Sequence, residues 1–142
     1  LVAGQILTTA AGRAIPALDD IPPLIRSGGV DLDVVLGPRD AWFTPEAVHL
    51  LLETAWTLSA ASDRIGLRLD GPALERSILA ELPSEPVVRG SIQVTSAGQP
   101  VVFGPDHPVT GGYPVIAVVV DSHTDRLAQV RPGDSVRLHR RT

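Results

Sequence analysis

The chain has 142 residues, of which 44% are hydrophobic and 20% are charged, and its formal net charge is −4. This length fits one domain, so we expect residues 1–142 to form a single folded unit. We expect no nucleic-acid partner, because the net charge is negative and no basic residues cluster. We expect no membrane partner, because no apolar run approaches the ~18 residues of a membrane span.

The residue types limit the chemistry that this chain can perform. All twelve basic residues are arginine, so no lysine amine is present, and no cysteine is present either. Lysine-based covalent catalysis, thiol nucleophiles and zinc–thiolate sites are therefore excluded. His123 and His139 have no partner at metal-ligand spacing, so we predict no metal site. No signal peptide is visible, and we expect a cytoplasmic protein. The opening Leu1 to Gly4 resembles the middle of a strand, which indicates part of a longer subunit.

Frequent turn residues predict a mostly β fold, either a barrel or a sandwich. Thirteen glycines and thirteen prolines break the chain at short intervals, which favours short strands and tight turns. Between Arg64 and Asp70, apolar residues at 65, 67 and 69 alternate with polar ones, as in a half-buried strand. The predicted strands are Gln5 to Thr8, Leu32 to Leu36, Trp56 to Leu58, Ile65 to Leu69, Ser91 to Val94, Pro100 to Phe103, Val115 to Val120 and Ser135 to His139.

Two or three short helices are predicted between these strands. The first has Thr44 as N-cap, Pro45 at the first helical position and an apolar stripe formed by Val48, Leu51, Leu52 and Ala55. His49 is expected on its solvent face. The second helix is predicted to start at Ser122 or Thr124, with a hydroxyl cap, and to end near Gln129 before Pro132. A helical turn is also plausible around Asp19 to Arg26.

The segment Ser62 to Gly66 is the first candidate site, because it places an acid and a base next to each other where a loop enters a strand. Arg64 is suited to binding a carboxylate or phosphate with two hydrogen bonds, and Asp63 to accepting a proton or a substrate N–H. The alternative interpretation is a local Asp turn followed by a surface arginine.

The segment Gly104 to Pro114 is the second candidate site. It is rich in glycine and proline and contains polar side chains, including Thr110 and Tyr113, between two apolar strands. The backbone N–H groups of Gly111 and Gly112 are suited to an oxyanion, with Tyr113 closing the pocket. The alternative is a rigid connection whose glycines serve only turn geometry.

Two further polar residues, Glu85 and Gln93, lie next to apolar ones and are candidates to face a pocket. The alternative for Glu85 is a solvated loop acid. The alternative for Gln93 is the outward side of an alternating strand.

Five segments in chain order closely resemble the allophanate hydrolase subunit 2 family. This family is also described as the C subunit of 5-oxoprolinase, or as the kinase-inhibitor antagonist type of biotin-dependent carboxyltransferase domain. The resemblance runs over nearly the whole chain. The matching segments are Gly37 to Ala47, Ser62 to Pro72, Pro86 to Val94, Thr110 to Pro114 and Leu127 to Asp134.

The resemblance implies a cyclophilin-like β-barrel that forms the later half of a longer subunit, whose amino-terminal half is missing from this sequence. It implies a second homologous subunit, of the type known as allophanate hydrolase subunit 1 or the B subunit of 5-oxoprolinase. The implied activity is ATP-dependent hydrolysis of a small amide, 5-oxoproline, or the related allophanate and urea chemistry. Carboxyl transfer would need biotin on another protein, because this chain has no lysine. The alternative function is a regulatory protein that sequesters its partner subunit.

The resemblance and the residue chemistry point to the same two loops. We expect Arg64 to bind the substrate carboxylate or a phosphorylated intermediate, while Asp63 and Tyr113 orient the amide and Gly111 and Gly112 stabilise developing negative charge. This hypothesis requires the two loops to meet in one polar hollow at the rim of the barrel.

Overall fold

The computed structural model describes Gln5 and residues 28–141, and it is mostly β. In chain order the strands are β1 Gly29–Leu36, β2 Trp56–Leu58, β3 Gly66–Asp70, β4 Glu85–Pro86, β5 Ser91–Val94, β6 Pro100–Phe103, β7 Thr110–Gly111, β8 Val115–Val119 and β9 Ser135–Arg140. The helices are α1 Pro45–Glu53 and α2 Asp121–Leu127, with a 3₁₀ turn at Asp40–Trp42. No helix of this part is long and apolar enough to cross a membrane.

Seven of the strands close into a barrel in the order β1-β8-β5-β6-β3-β2-β9, and β4 pairs with β7 in a separate ribbon. The barrel closes where β9 pairs in parallel with β1, from Gly29 opposite Ser135 to Val34 opposite Arg140. The other barrel pairs are antiparallel. The predicted β-barrel with two or three short helices is therefore confirmed.

The barrel is filled by apolar side chains that alternate along its strands. Leu32 and Val34 of β1, Leu69 of β3 and Leu138 of β9 are fully buried, as the inward face of a strand requires. Trp56 is the bulkiest fully buried side chain, and its indole N–H donates to the carbonyl of residue 51 at 3.0 Å. The polar end of this aromatic ring is thus satisfied inside the core.

A second, smaller apolar cluster lies outside the barrel. It consists of Val87, Phe103 and Val115. In β5, Ile92 and Val94 belong to the main core, so the residues that alternate with them point outward. The β4–β7 ribbon packs over this outer face, which buries residues that a strand would otherwise expose.

The first helix is confirmed, but the predicted cap of the second is wrong. Thr44 caps α1 by accepting a hydrogen bond from the N–H of Ala47 at 3.1 Å. The residue ahead of α2 is Val120, which makes no side-chain cap, because the chain passes directly from the apolar run of β8 into the helix. The hydroxyl of Thr124 instead donates to the carbonyl of Asp121 within α2.

The strand predictions are confirmed to within a few residues at their ends, except where they fall on residues without a description. Ile65 is a correction: it was expected inside, but it is 51% exposed. The reason is that β3 begins one residue later, at Gly66, and Ile65 belongs to the turn before it. Two predictions, the strand Gln5 to Thr8 beyond its first residue and the turn Asp19 to Arg26, lie outside the described residues.

Candidate functional site

The structure places the two candidate segments at different ends of β6. One end of β6 pairs with the start of β3, just after Arg64. The other end pairs with Val94, whose N–H donates to the carbonyl of Pro114, next to Tyr113. A strand of this length spans about 10 Å. The loop from Gly104 therefore starts beside the Arg64 turn and finishes at the opposite end, and the expectation of one shared hollow is wrong.

Asp63 and Arg64 lie in one turn, where the first bonds to the backbone of the turn and the second to the neighbouring loop. The Oδ1 atom of Asp63 accepts hydrogen bonds at 2.9 Å from the N–H groups of Ile65 and Gly66. The guanidinium of Arg64 contacts Asp106 at 2.8 and 3.2 Å, and its side chain is 78% exposed. This is the geometry of a local Asp turn with a surface ion pair.

A groove of about 520 Å³ lies beside this turn and includes side chains of α2 and the loop after β6. A second arginine of the groove, Arg89, contacts Asp121 at 3.0 Å and Asp125 at 2.9 Å. The hydrogen bond that Arg89 donates to Asp121 is the largest cause that raises its pKa; the bond to Asp125 and the charges of both carboxylates act in the same direction, against partial burial. Both groove arginines are therefore already compensated by carboxylates, which leaves little attraction for an anion.

At the other end of β6, Gln93 is the centre of a compact polar arrangement. Its side chain lies on the outer face of β5 but is only 4% exposed, because the β4–β7 ribbon covers it. Its Nε2 atom donates to the carbonyl of Tyr113 at 2.7 Å. A Cβ atom at Gly111 would lie 2.9 Å from Oε1 and 3.0 Å from Cδ of Gln93. The amide thus fixes the double-glycine segment, and Gly111 is needed for this close approach.

Glu85 holds the other strand of the ribbon through an arginine that sequence reasoning missed. Arg39 donates two hydrogen bonds to Glu85, one from Nε to Oε2 at 3.1 Å and one from Nη2 to Oε1. This hydrogen bonding, assisted by charge and opposed by partial burial, lowers the pKa of Glu85 and raises that of Arg39. Glu85 is therefore an ionised anchor that pairs with Gly111 across the ribbon, not a proton donor. The signal for Arg39 was its place in the segment Gly37 to Ala47.

Arg76 is a second residue that sequence reasoning missed. Its Nη2 atom donates to the carbonyl of Val94 at 2.8 Å, and its Cζ atom lies 5.9 Å from the ring centroid of Tyr113. Backbone pairing with Phe43 places it there. No motif marked this residue in the sequence, because its neighbours come from distant segments.

We call Gln93, Gly111, Gly112, Tyr113 and Arg76 the Gln93 cluster. Tyr113 is 43% exposed, and a Cβ built at Gly112 has no heavy atom of a described residue within 4 Å, apart from its chain neighbours. The cluster therefore combines accessible backbone with an aromatic ring and a guanidinium. Such a set can receive a small polar molecule that carries hydrogen-bond acceptors and a negative charge. The remaining predicted residue, Thr110, is exposed in β7 beside this cluster.

Comparison with known proteins matches residues 1–140 to the family described as carboxyltransferase domain, subdomain A and B. The C subunit of the 5-oxoprolinase of Haemophilus influenzae is 44% identical over 82 residues, which cover 58% of this chain and 26% of the relative. The Escherichia coli protein of the same name is 36% identical over 100 residues, covering 70% and 32%. The chain thus spans about a third or less of these relatives.

One further relative and two solved structures extend the comparison. The Saccharomyces cerevisiae urea amidolyase is 30% identical over 127 residues, covering 82% of this chain and 7% of the relative. The crystal structure of TTHA0988 superposes with a TM-score of 0.69 at 30% identity, over 94% of this chain and 24% of that one. The Kluyveromyces lactis urea amidolyase shares the fold, with a TM-score of 0.75 at 24% identity over 82% of this chain and 8% of that one. The chain belongs to the carboxyltransferase domain, subdomain A and B, family.

Proposed function

We propose that this chain is part of a cytoplasmic subunit of an ATP-dependent 5-oxoprolinase-type enzyme, which opens a small lactam by hydrolysis. The observation that carries the proposal is the Gln93 cluster, where a buried amide presents a double-glycine segment beside an arginine. The two relatives named as the C subunit of 5-oxoprolinase support it at 44% and 36% identity. We also propose that residues 1–142 form one domain of this subunit.

In this proposal the lactam lies against Thr110 to Tyr113. The lactam carbonyl accepts hydrogen bonds from backbone N–H groups of the double-glycine segment, and the hydroxyl of Tyr113 bonds to the ring amide. Gln93 holds this segment through its hydrogen bond to the carbonyl of Tyr113, and Glu85 pairs with Gly111 in the neighbouring strand of the ribbon. Asp63 and Arg64 lie at the other end of β6, so we give them no contact with the same ligand.

ATP and the partner belong to the complex as a whole. The sequence has no Walker loop and no lysine, and the arginines of the groove beside Arg64 are paired with carboxylates. These residues do not fit a triphosphate. We therefore propose that nucleotide binds elsewhere in the assembly, with a second homologous subunit of the type found as the B subunit of 5-oxoprolinase.

The second candidate is carboxyl transfer to urea, favoured by the 30% identity to urea amidolyase over 127 residues. The biotin carrier would then lie outside this chain, because these 142 residues contain no lysine to carry the cofactor.

The test is reconstitution of the full-length subunit with its partner. We expect ATP-dependent release of glutamate from 5-oxoproline only when both are present, and a large loss of turnover in the Tyr113→Phe variant. Transfer of a carboxyl group from a carboxybiotin-bearing carrier to urea, which releases free biotin on the carrier, would establish the second candidate. Full glutamate release without this subunit would instead support a regulatory role.

A further inference from the structure

Arg76 differs from the paired arginines described above because, in the part of the chain that the structure describes, no carboxylate pairs with its charge. Arg39, Arg64 and Arg89 each form an ion pair with at least one carboxylate. Among the described residues Arg76 forms none, and its one hydrogen-bond acceptor is the carbonyl of Val94. Counting the residues that the structure describes, the Gln93 cluster therefore carries a positive charge without a carboxylate beside it, unlike the groove beside Arg64.

The guanidinium of Arg76 is also fixed in place with donors to spare. Its Nε atom is buried, and in the described part of the chain it has no hydrogen-bond acceptor. A guanidinium carries five N–H donors, and within residues 28–141 only Nη2 of Arg76 has an acceptor. A buried N–H donor without an acceptor is unfavourable, and a carboxylate is the acceptor whose shape matches the planar guanidinium fork.

We propose that Arg76 binds the carboxylate of an acidic ligand held at Tyr113, and that it makes the site select a carboxylated amide over a neutral one. The inference rests on the proposed function and deepens it by naming the residue that recognises the acid group. It moves this role from Arg64, whose guanidinium is already engaged by Asp106. The ring centroid of Tyr113 lies 5.9 Å from Cζ of Arg76. One small molecule can therefore contact both the guanidinium and the aromatic ring.

The test compares two ligands and two matched variants in the full complex. 5-Oxoproline carries the carboxylate, and 2-pyrrolidinone is the same ring without it. Arg76→Gln and Arg64→Gln remove the same charge at the two ends of β6. Calorimetry gives the dissociation constant of each ligand for each protein. We expect Arg76→Gln to weaken 5-oxoproline binding on the order of ten-fold or more and to leave 2-pyrrolidinone unchanged, while Arg64→Gln changes neither.

Arg76→Lys guards against a purely structural effect, because lysine keeps the charge but loses the planar fork. We expect it to restore part of the preference for 5-oxoproline. Three results would each overturn the inference. They are equal weakening of the binding of both ligands by Arg76→Gln, loss of 5-oxoproline binding in Arg64→Gln alone, and a wild-type complex that does not prefer 5-oxoproline. Selective binding that depends on Arg76 without ATP-dependent glutamate release would keep it and refute the proposed function alone.

Discussion

Replacing Gly111 with alanine tests how the double-glycine segment is held. The added Cβ would come within 2.9 Å of Oε1 and 3.0 Å of Cδ of Gln93, and closer still to Nε2. Gln93 is buried and bonds to the carbonyl of Tyr113 at 2.7 Å, so it cannot move without losing that bond. Overpacking costs about 1–3 kcal/mol, and a buried donor left unpaired costs about 1–3 kcal/mol. Because the two costs partly relieve each other, we expect Gly111→Ala to lower the free energy of unfolding by about 2–4 kcal/mol.

Gly112→Ala is the matched control, because its Cβ would meet no described residue within 4 Å other than its chain neighbours. It should change stability by less than about 0.5 kcal/mol. Urea unfolding followed by tryptophan fluorescence, to which the fully buried Trp56 contributes, measures both. In a Gln93→Ala background, Gly111→Ala should cost at least about 1 kcal/mol less than in the wild type. Equal effects of the two glycine substitutions, or full additivity with Gln93→Ala, would refute the packing argument.

Three further predictions concern the anchor of the ribbon, the first helix and the core. Arg39 lowers the pKa of Glu85 from its ordinary value of 4.5, so the ion pair stabilises the fold above that pH and loses its effect as the pH falls through the lowered pKa. The difference in unfolding free energy between wild type and Glu85→Gln should therefore become smaller as the pH is lowered. A difference that grows in acid would contradict this prediction. Thr44→Ala removes the cap on Ala47 and should cost about 0.5–2 kcal/mol in urea unfolding, whereas Thr44→Ser should cost clearly less. Leu138→Ala empties a fully buried site in β9 and should cost about 2–5 kcal/mol by the same assay; a change below about 1 kcal/mol would mean that the barrel interior is not packed as described.

The elements that the sequence predicts well are those whose signals are local. α1 is marked by a capping threonine, a proline and an apolar stripe within a few residues, and most barrel strands lie between clear turn residues. The β4–β7 ribbon was missed because each strand has two residues and one of them is Pro86. Such a pair forms only because the barrel face beneath it offers Gln93 and an apolar cluster.

The candidate site was predictable in its parts but not in its pairings. The double-glycine segment was unusual enough to find, yet its partner Gln93 looked like an ordinary strand residue. Arg39 and Glu85 are separated by 46 positions, and no spacing rule links them. Arg64 drew attention because it stands beside Asp63, whereas Arg76, which forms no ion pair with the described residues, has ordinary neighbours in the chain. Charge compensation depends on distant contacts, which a linear pattern does not contain.

The parallel seam between β1 and β9 has a consequence for synthesis on the ribosome. β9 is the last strand of the barrel to emerge, and it joins β1 on one side to β2 on the other. Until it arrives, both of those strands expose unpaired backbone edges, and the eight residues of β1 are a long template for pairing with another nascent chain. A truncation before Ser135 should therefore produce insoluble protein rather than a shorter barrel, and a chaperone that shields β1 would raise the yield of the intact chain.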